Sequence, residues 1–158
     1  MWIYLPALRK TRRIVSREKS KSFMGSEFSN ANMTAPGLDD FSYILLGNGT
    51  CRGQSCNMVE SIPVNEELMD EYGYSKSISW VDESSYLVYQ IQYFDFDGEL
   101  FKTITNSDFR ELDQGKYMVT GMKAVNHQNN RSSAMEMEQV SVRSTDESYF
   151  TVAYLEKE

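Results

Sequence analysis

The chain has 158 residues, of which 41% are hydrophobic, 13% aromatic and 25% charged, with only three prolines. That is enough for one domain with a core, too little for most multidomain enzymes, and the wrong composition for a disordered or collagen-like chain. Sixteen Lys and Arg against 23 Asp and Glu give a formal charge of -7, which argues against general nucleic-acid affinity and against a polycationic membrane binder.

Short β-branched and aromatic runs at period two, separated by Gly, Asn, Asp and Ser, predict antiparallel β architecture in one continuous sheet. Residues 2–5 and 8–15 read as strands broken at Pro6, which lacks the N–H for a ladder bond. Residues 1–6 are apolar, but bases follow them and no long apolar run precedes a small-residue cleavage site, so they are not a secretion signal. Arg9 to Lys21 holds seven bases and one acid, Glu18, a local charge of +6 that leaves -13 on the remainder. Arg9, Lys10, Arg12 and Arg13 can form a basic patch for an anionic headgroup or acidic partner, although solvated residues are the commoner source of such runs. Residues 16–22 are a polar connection. Residues 23–37 are irregular, with a short helical turn at 30–35 and Pro36-Gly37 closing the segment.

Strands resume at 41–46 and 57–62, which pair across a loop containing Gly47-Asn48-Gly49, Cys51 and Cys56. Gly53 permits the reversal that brings the two thiols together. A disulfide and reduced thiols both fit, whereas zinc lacks ligands because His127 is the only histidine. Residues 66–72 form a helix or turn whose Glu66, Glu67, Asp70 and Glu71 read as its wet face. Residues 76–81 and 86–94 are strands, the second placing Leu87, Tyr89, Ile91 and Tyr93 on one face. Asp95-Phe96-Asp97-Gly98 turns the chain into 99–105; without a twelve-residue calcium loop, a hairpin is the better account of its carboxylates. Strands follow at 109–112, 116–125 and 132–142, with His127 in the polar turn 126–130. Met118 shares a strand face with Met122, and Met135 with Met137. Phe150, Tyr154 and Leu155 suit a docked terminal turn or short helix.

The chemistry of catalysis is missing: there is no phosphate-cradling Gly-rich loop, no Gly-x-Ser-x-Gly elbow and no His-Glu-x-x-His pair. The expectation is a non-enzyme with no cofactor and no metal. No apolar run reaches the roughly 18 residues of a spanning helix. Nine methionines and the aromatic stripe of 87–93 fit an ordinary core, and they also fit a pocket that adapts to ligands of varying shape.

Trp2-Ile3-Tyr4-Leu5-Pro6-Ala7-Leu8-Arg9-Lys10, then Arg12-Arg13-Ile14, then Phe23-Met24-Gly25-Ser26 with Phe28, resemble the bacterial outer-membrane lipoprotein-sorting protein family, relatives of the periplasmic carrier LolA. Later landmarks keep the same order: Trp80-Val81-Asp82, Tyr93 through Asp95, Asp97-Gly98, Lys102-Thr103, Phe150-Thr151 and Tyr154-Leu155. The resemblance implies a mainly β fold, a curved antiparallel sheet forming part of an incomplete LolA-like β-barrel, with short helical segments and a helical lid. It implies a single domain over 1–158 that is the C-terminal part of a larger unit, with a signal peptide, a helix and further strands before Trp2. The implied function is a non-catalytic periplasmic carrier, holding lipoprotein acyl chains or another lipid in an apolar cavity for outer-membrane lipoprotein sorting or lipid transport. The implied contacts on the concave face are Trp2, Tyr4, Leu87, Tyr89, Ile91, Tyr93, Met135 and Met137. The alternative is a protein-interaction module using an edge strand or the basic segment, or an accessory of a transporter of hydrophobic compounds.

Overall fold

A run of alternating residues becomes a strand only where a neighbour accepts its register, and two separate sheets satisfy that here instead of the expected one. The computed structural model describes residues 1–113 and 115–156. Strands β1 (Trp2–Leu5) and β2 (Lys10–Arg13) form a two-stranded ribbon by themselves. A 3-10 turn at Pro6–Leu8 and a left-handed Arg9 (φ 47°) reverse the chain, which is why the second strand starts at Lys10 and not at residue 8.

The larger sheet is a seven-stranded antiparallel meander in chain order: β3 (Phe41–Cys51), β4 (Gln54–Pro63), β5 (Lys76–Asp82), β6 (Val88–Phe94), β7 (Leu100–Asp113), β8 (Lys116–Asn126) and β9 (Arg131–Glu136). β3 and β9 are its edges, so the sheet does not close on itself. The expected loop at Gly47–Gly49 lies inside β3. A register shift between Leu45 and Gly47 absorbs it, and Gly49 is needed where it sits, because a Cβ there would come within 2.9 Å of the Met58 sulfur. The reversal comes later, at Arg52 (φ 50°) and Gly53 (φ 79°). Likewise β7 runs unbroken through Asn106-Ser107-Asp108, because register shifts against β8 on either side of Asp108 take up the polar residues. β9 ends at Glu136, six residues before the expected boundary at 142.

A disulfide joins Cys51 to Cys56 across the β3–β4 reversal. Their separation of 5 residues closes a small loop, so replacing both with serine is expected to cost about 2 kcal/mol of unfolding free energy by the chain-entropy relation. Urea denaturation read by circular dichroism measures it.

Helix α1 (Glu66–Tyr72) starts where the Asn65 side chain accepts from Leu68 N–H at 2.9 Å and stops at left-handed Gly73 (φ 80°). The turn after β5 is organised by one oxygen. Asp82 Oδ1 accepts from the backbone N–H and hydroxyl of both Ser84 and Ser85, at 2.7 to 3.1 Å. The Ser85 N–H, followed by the two hydroxyls, holds the carboxyl at about 2, below its usual 3.8. A depressed folded pKa supplies stability above the unfolded value and loses it as pH falls through the folded one. Asp82→Asn should therefore flatten the decline in melting temperature between about pH 4 and pH 2.

The core is aromatic: Phe28, Phe41, Tyr72, Tyr74 and Tyr93 cluster with Ile104 and Ala124. Phe28 comes from the irregular segment between β2 and β3, which lies over the sheet as a strap of 3-10 turns (Ser16–Glu18, Asn30–Met33, Leu38–Asp40). The terminal α2 (Val152–Leu155) forms next to β1, but Phe150 is 81% exposed, so it does not supply the expected docking contact.

Candidate functional site

Register determines which side chains meet under the strap. Across the sheet Ser79, Ile91, Ile104, Ala124 and Ser133 form one transverse row, and Ser77, Tyr93 and Lys102 form the next. Period two on β6 puts Tyr89, Ile91 and Tyr93 on one face. The strap crosses that face. Its Asn32 donates to the Tyr93 hydroxyl at 3.2 Å and accepts from Lys102 Nζ at 3.2 Å, while Glu27 N–H donates to Ser133 Oγ at 3.1 Å.

Between strap and sheet remains a cavity of about 290 Å³, walled by Ala31, Asn32, Thr34 and Pro36 above and by Ile91, Tyr93, Ile104, Asn106, Val119 and Met122 below, with Tyr72 and Tyr74 at its side. Its size is at the lower end for ligand pockets. A second hollow of about 130 Å³ shares Pro36, Tyr74, Ile91 and Tyr93 and continues toward Phe41, Tyr43 and Ser79. Burial raises the pKa of all three tyrosines. Tyr72, which also donates to Asp40 Oδ2 at 2.6 Å, reaches about 12. The phenols therefore stay neutral at ordinary pH, and the lining is mostly apolar, with hydroxyl tips and the amides of Asn32 and Asn106. A larger concavity of about 660 Å³ lies between residues 15–17 and α1, but Arg17, Glu67, Asp70 and Glu71 wall it with charge.

Of the residues expected to meet cargo, Ile91 and Tyr93 line the cavity. Tyr89 lies on the same face but packs edge-on against Phe109 at 5.2 Å with the Arg52 guanidinium over its ring at 5.1 Å, beside a separate hollow of about 250 Å³. Leu87 precedes β6, its carbonyl accepting from Asp82 N–H. Met135 packs against the core from edge strand β9, and Met137, just past it, is 38% exposed. Trp2 and Tyr4 belong to the β1–β2 ribbon, Trp2 47% exposed. Neither residue lines the cavity. The sequence reading missed the strap residues Asn32, Thr34 and Pro36, and also Tyr72, Tyr74, Ile104 and Val119. The Tyr72-Gly73-Tyr74 cluster was the available signal.

Arg9, Lys10 and Arg13 are exposed on the ribbon. Arg12 is engaged with the buried Glu18, which also draws Lys21 at 3.7 Å and accepts from Val15 N–H. His127 Nε2 meets Thr103 Oγ1 at 2.8 Å on an exposed turn. The Asp95 carboxylate accepts from the N–H groups of Asp97 and Glu99 and from Gln128, the pattern of a hairpin turn. Among the described residues no group of three or more His, Cys, Asp or Glu is placed to hold a metal ion, and no helix is long and apolar enough to cross a membrane.

A family model whose description reads "-like: Uncharacterized protein" matches residues 1–157. No curated protein matches the chain. Among solved structures, the chain is similar to a Vibrio parahaemolyticus domain proposed to be an outer membrane lipoprotein-sorting protein domain, with 28% identity and a TM-score of 0.89 over 99% of this chain and 65% of that one. A DUF1329 family protein from Desulfovibrio piger gives 27% identity and a TM-score of 0.84 over 98% of this chain and 63% of that one. A LolA superfamily protein from Nitrosomonas europaea gives 18% identity and a TM-score of 0.71 over 98% and 67%. The chain thus spans a little under two thirds of the length of the first two structures. With that family model running over residues 1–157, the chain belongs to its family, and the fold it builds is LolA-like with an open sheet.

Proposed function

We propose that the protein is a non-catalytic periplasmic carrier that holds acyl chains, of a lipoprotein or another lipid, between the strap and strands β6 to β8. The observation that carries this reading is the roofed cavity of about 290 Å³ with Ile91, Ile104, Val119 and Met122 in its walls. The likeness to a domain proposed for lipoprotein sorting supports it. Each methylene leaving water contributes about 0.8 kcal/mol, so roughly a dozen gain about 10 kcal/mol. Subtracting the lower end of the association cost, about 4 kcal/mol, leaves retention in the range of tens of micromolar. Weak holding suits a carrier, which has to release what it carries.

Displacement of a fluorescent fatty acid by unlabelled fatty acid or phospholipid tests this. Saturable uptake at one site is expected, and a folded protein with no saturable uptake rejects the carrier. A second reading, strand addition by a protein partner, is favoured by one observation: Tyr43, Ile44, Leu45 and Leu46 are each about half or more exposed on the unpaired edge strand β3. Partner binding without lipid uptake would support that reading.

A further inference from the structure

Lys102 is a charged side chain only 7% exposed. It stands on the face of β7 that also carries Ile104, directly across from Tyr93 of β6. Its ammonium lies 4.8 Å from the centre of the Tyr93 ring and 5.6 Å from that of Phe101. Among the described residues one hydrogen-bond acceptor reaches it, Asn32 Oδ1 at 3.2 Å. Glu27 supports its charge without forming an ion pair with it, because that carboxylate is spent on Arg131 Nε at 3.1 Å and Asn126 Nδ2 at 3.1 Å.

An ammonium has three donors and is costly to bury with one neutral acceptor. Burial accordingly pulls its pKa down to about 8, so it still carries a proton for most of the time at neutral pH. The two groups that steady it, Asn32 and Tyr93, are themselves part of the cavity wall. Behind Asn32 and Tyr93 of a mostly apolar wall thus stands a desolvated cation whose hydrogen-bond partner belongs to the strap rather than to the sheet. Cation–π contact with Tyr93 offsets part of the cost but leaves donors without a strong acceptor.

We infer that the cavity takes single-chain amphiphiles with one anionic end group, a carboxylate or a phosphate, which replaces Asn32 as the acceptor for Lys102 while the chain lies along Ile91, Ile104 and Met122. This rests on the carrier reading and deepens it by naming the cargo's polar end. The exchange costs the strap one hydrogen bond from the ammonium to a neutral amide oxygen and gives the buried cation a charged partner.

The test compares three ligands of equal chain length, tetradecanoic acid, tetradecyl phosphate and tetradecanol, each competing for the same neutral fluorescent probe at pH 7. At least one anionic ligand should bind about tenfold or more tightly than the alcohol; whether it is the acid, the phosphate or both identifies the end group. In Lys102→Met the anionic advantage disappears while the affinity for the alcohol is kept. Asn32→Ala provides a second variant that leaves the cation in place: it should tighten the anionic ligand and leave the alcohol unchanged. Equal binding of acid, phosphate and alcohol, or an anionic advantage that survives Lys102→Met, overturns the inference and leaves the carrier standing. Failure of all three ligands to bind overturns both.

Discussion

Phe28→Ala lowers the unfolding free energy by about 3 to 5 kcal/mol, the range for emptying a buried aromatic site. Phe28 is 1% exposed and is the strap's principal contribution to a core otherwise built from the sheet and α1. Residues 16–37 have no long element of their own, only 3-10 turns and single bonds such as Phe23 N–H to the Phe28 carbonyl at 2.8 Å. This ring is the strap's fully buried anchor, beside the polar ties that Asn32 and Glu27 make to the sheet. Against a typical total of 5 to 15 kcal/mol, the loss leaves little margin. The measurement is the urea midpoint, followed both by far-UV signal for the sheet and by near-UV signal for the packed tyrosines. A change under about 1 kcal/mol would mean that the strap is held by something other than Phe28.

Ile91→Trp should abolish lipid uptake, reducing affinity tenfold or more, with a stability change of no more than about 1 kcal/mol. Ile91 lines both the cavity of about 290 Å³ and its neighbour of about 130 Å³, from the sheet side. The indole is drawn into space that is already empty, so it occupies the cargo's place without the usual penalty of overpacking. The pairing of outcomes matters. Binding lost in a variant that melts like the parent separates a blocked cavity from a damaged fold, and unchanged uptake would put the cargo elsewhere. Circular dichroism melts and the fatty-acid displacement titration supply the two readings.

The sheet was legible where side chains alternate without interruption. β5 and β6 lie close to their expected ranges because Ser77, Ile78, Ser79 and Trp80, and then Tyr89 to Tyr93, carry a strict period of two. Where bulges intervene, the pattern misled. Gly47-Asn48-Gly49 and Asn106-Ser107-Asp108 have turn-forming composition, yet the paired strand holds both within a ladder. Register shifts are a property of two strands, and one segment cannot announce them. The same limit explains the site: Ile91 and Tyr93 were readable from their own strand, whereas Ile104 comes to the cavity through pairing with Ile91 and Val119 through the pairing of β8 with β7.

The strap was the least legible part, because irregular backbone is placed by tertiary contacts alone. Nothing in residues 23–37 indicates that Asn32 will bridge Tyr93 and Lys102, some 60 and 70 residues further along the chain. Trp2 and Tyr4 show the opposite relation between pattern and placement. Both have the aromatic character of a binding stripe, but Arg9 and the Pro6–Leu8 turn fold them into a ribbon outside the main sheet. In the basic run, the half-exposed Arg12 pairs with the buried Glu18, and Arg9, Lys10 and Arg13 lie at the surface beside it.

Methyl resonances give the most direct view of whether cargo enters the roofed cavity. In a titration with tetradecanoic acid, the methyls of Ile91, Ile104, Val119 and Met122 should shift together and saturate, while those of Ile44 and Leu46 on the β3 edge stay in place. Shifts confined to the β3 edge, or none at all in the folded protein, would contradict a carrier that holds its lipid beneath the strap.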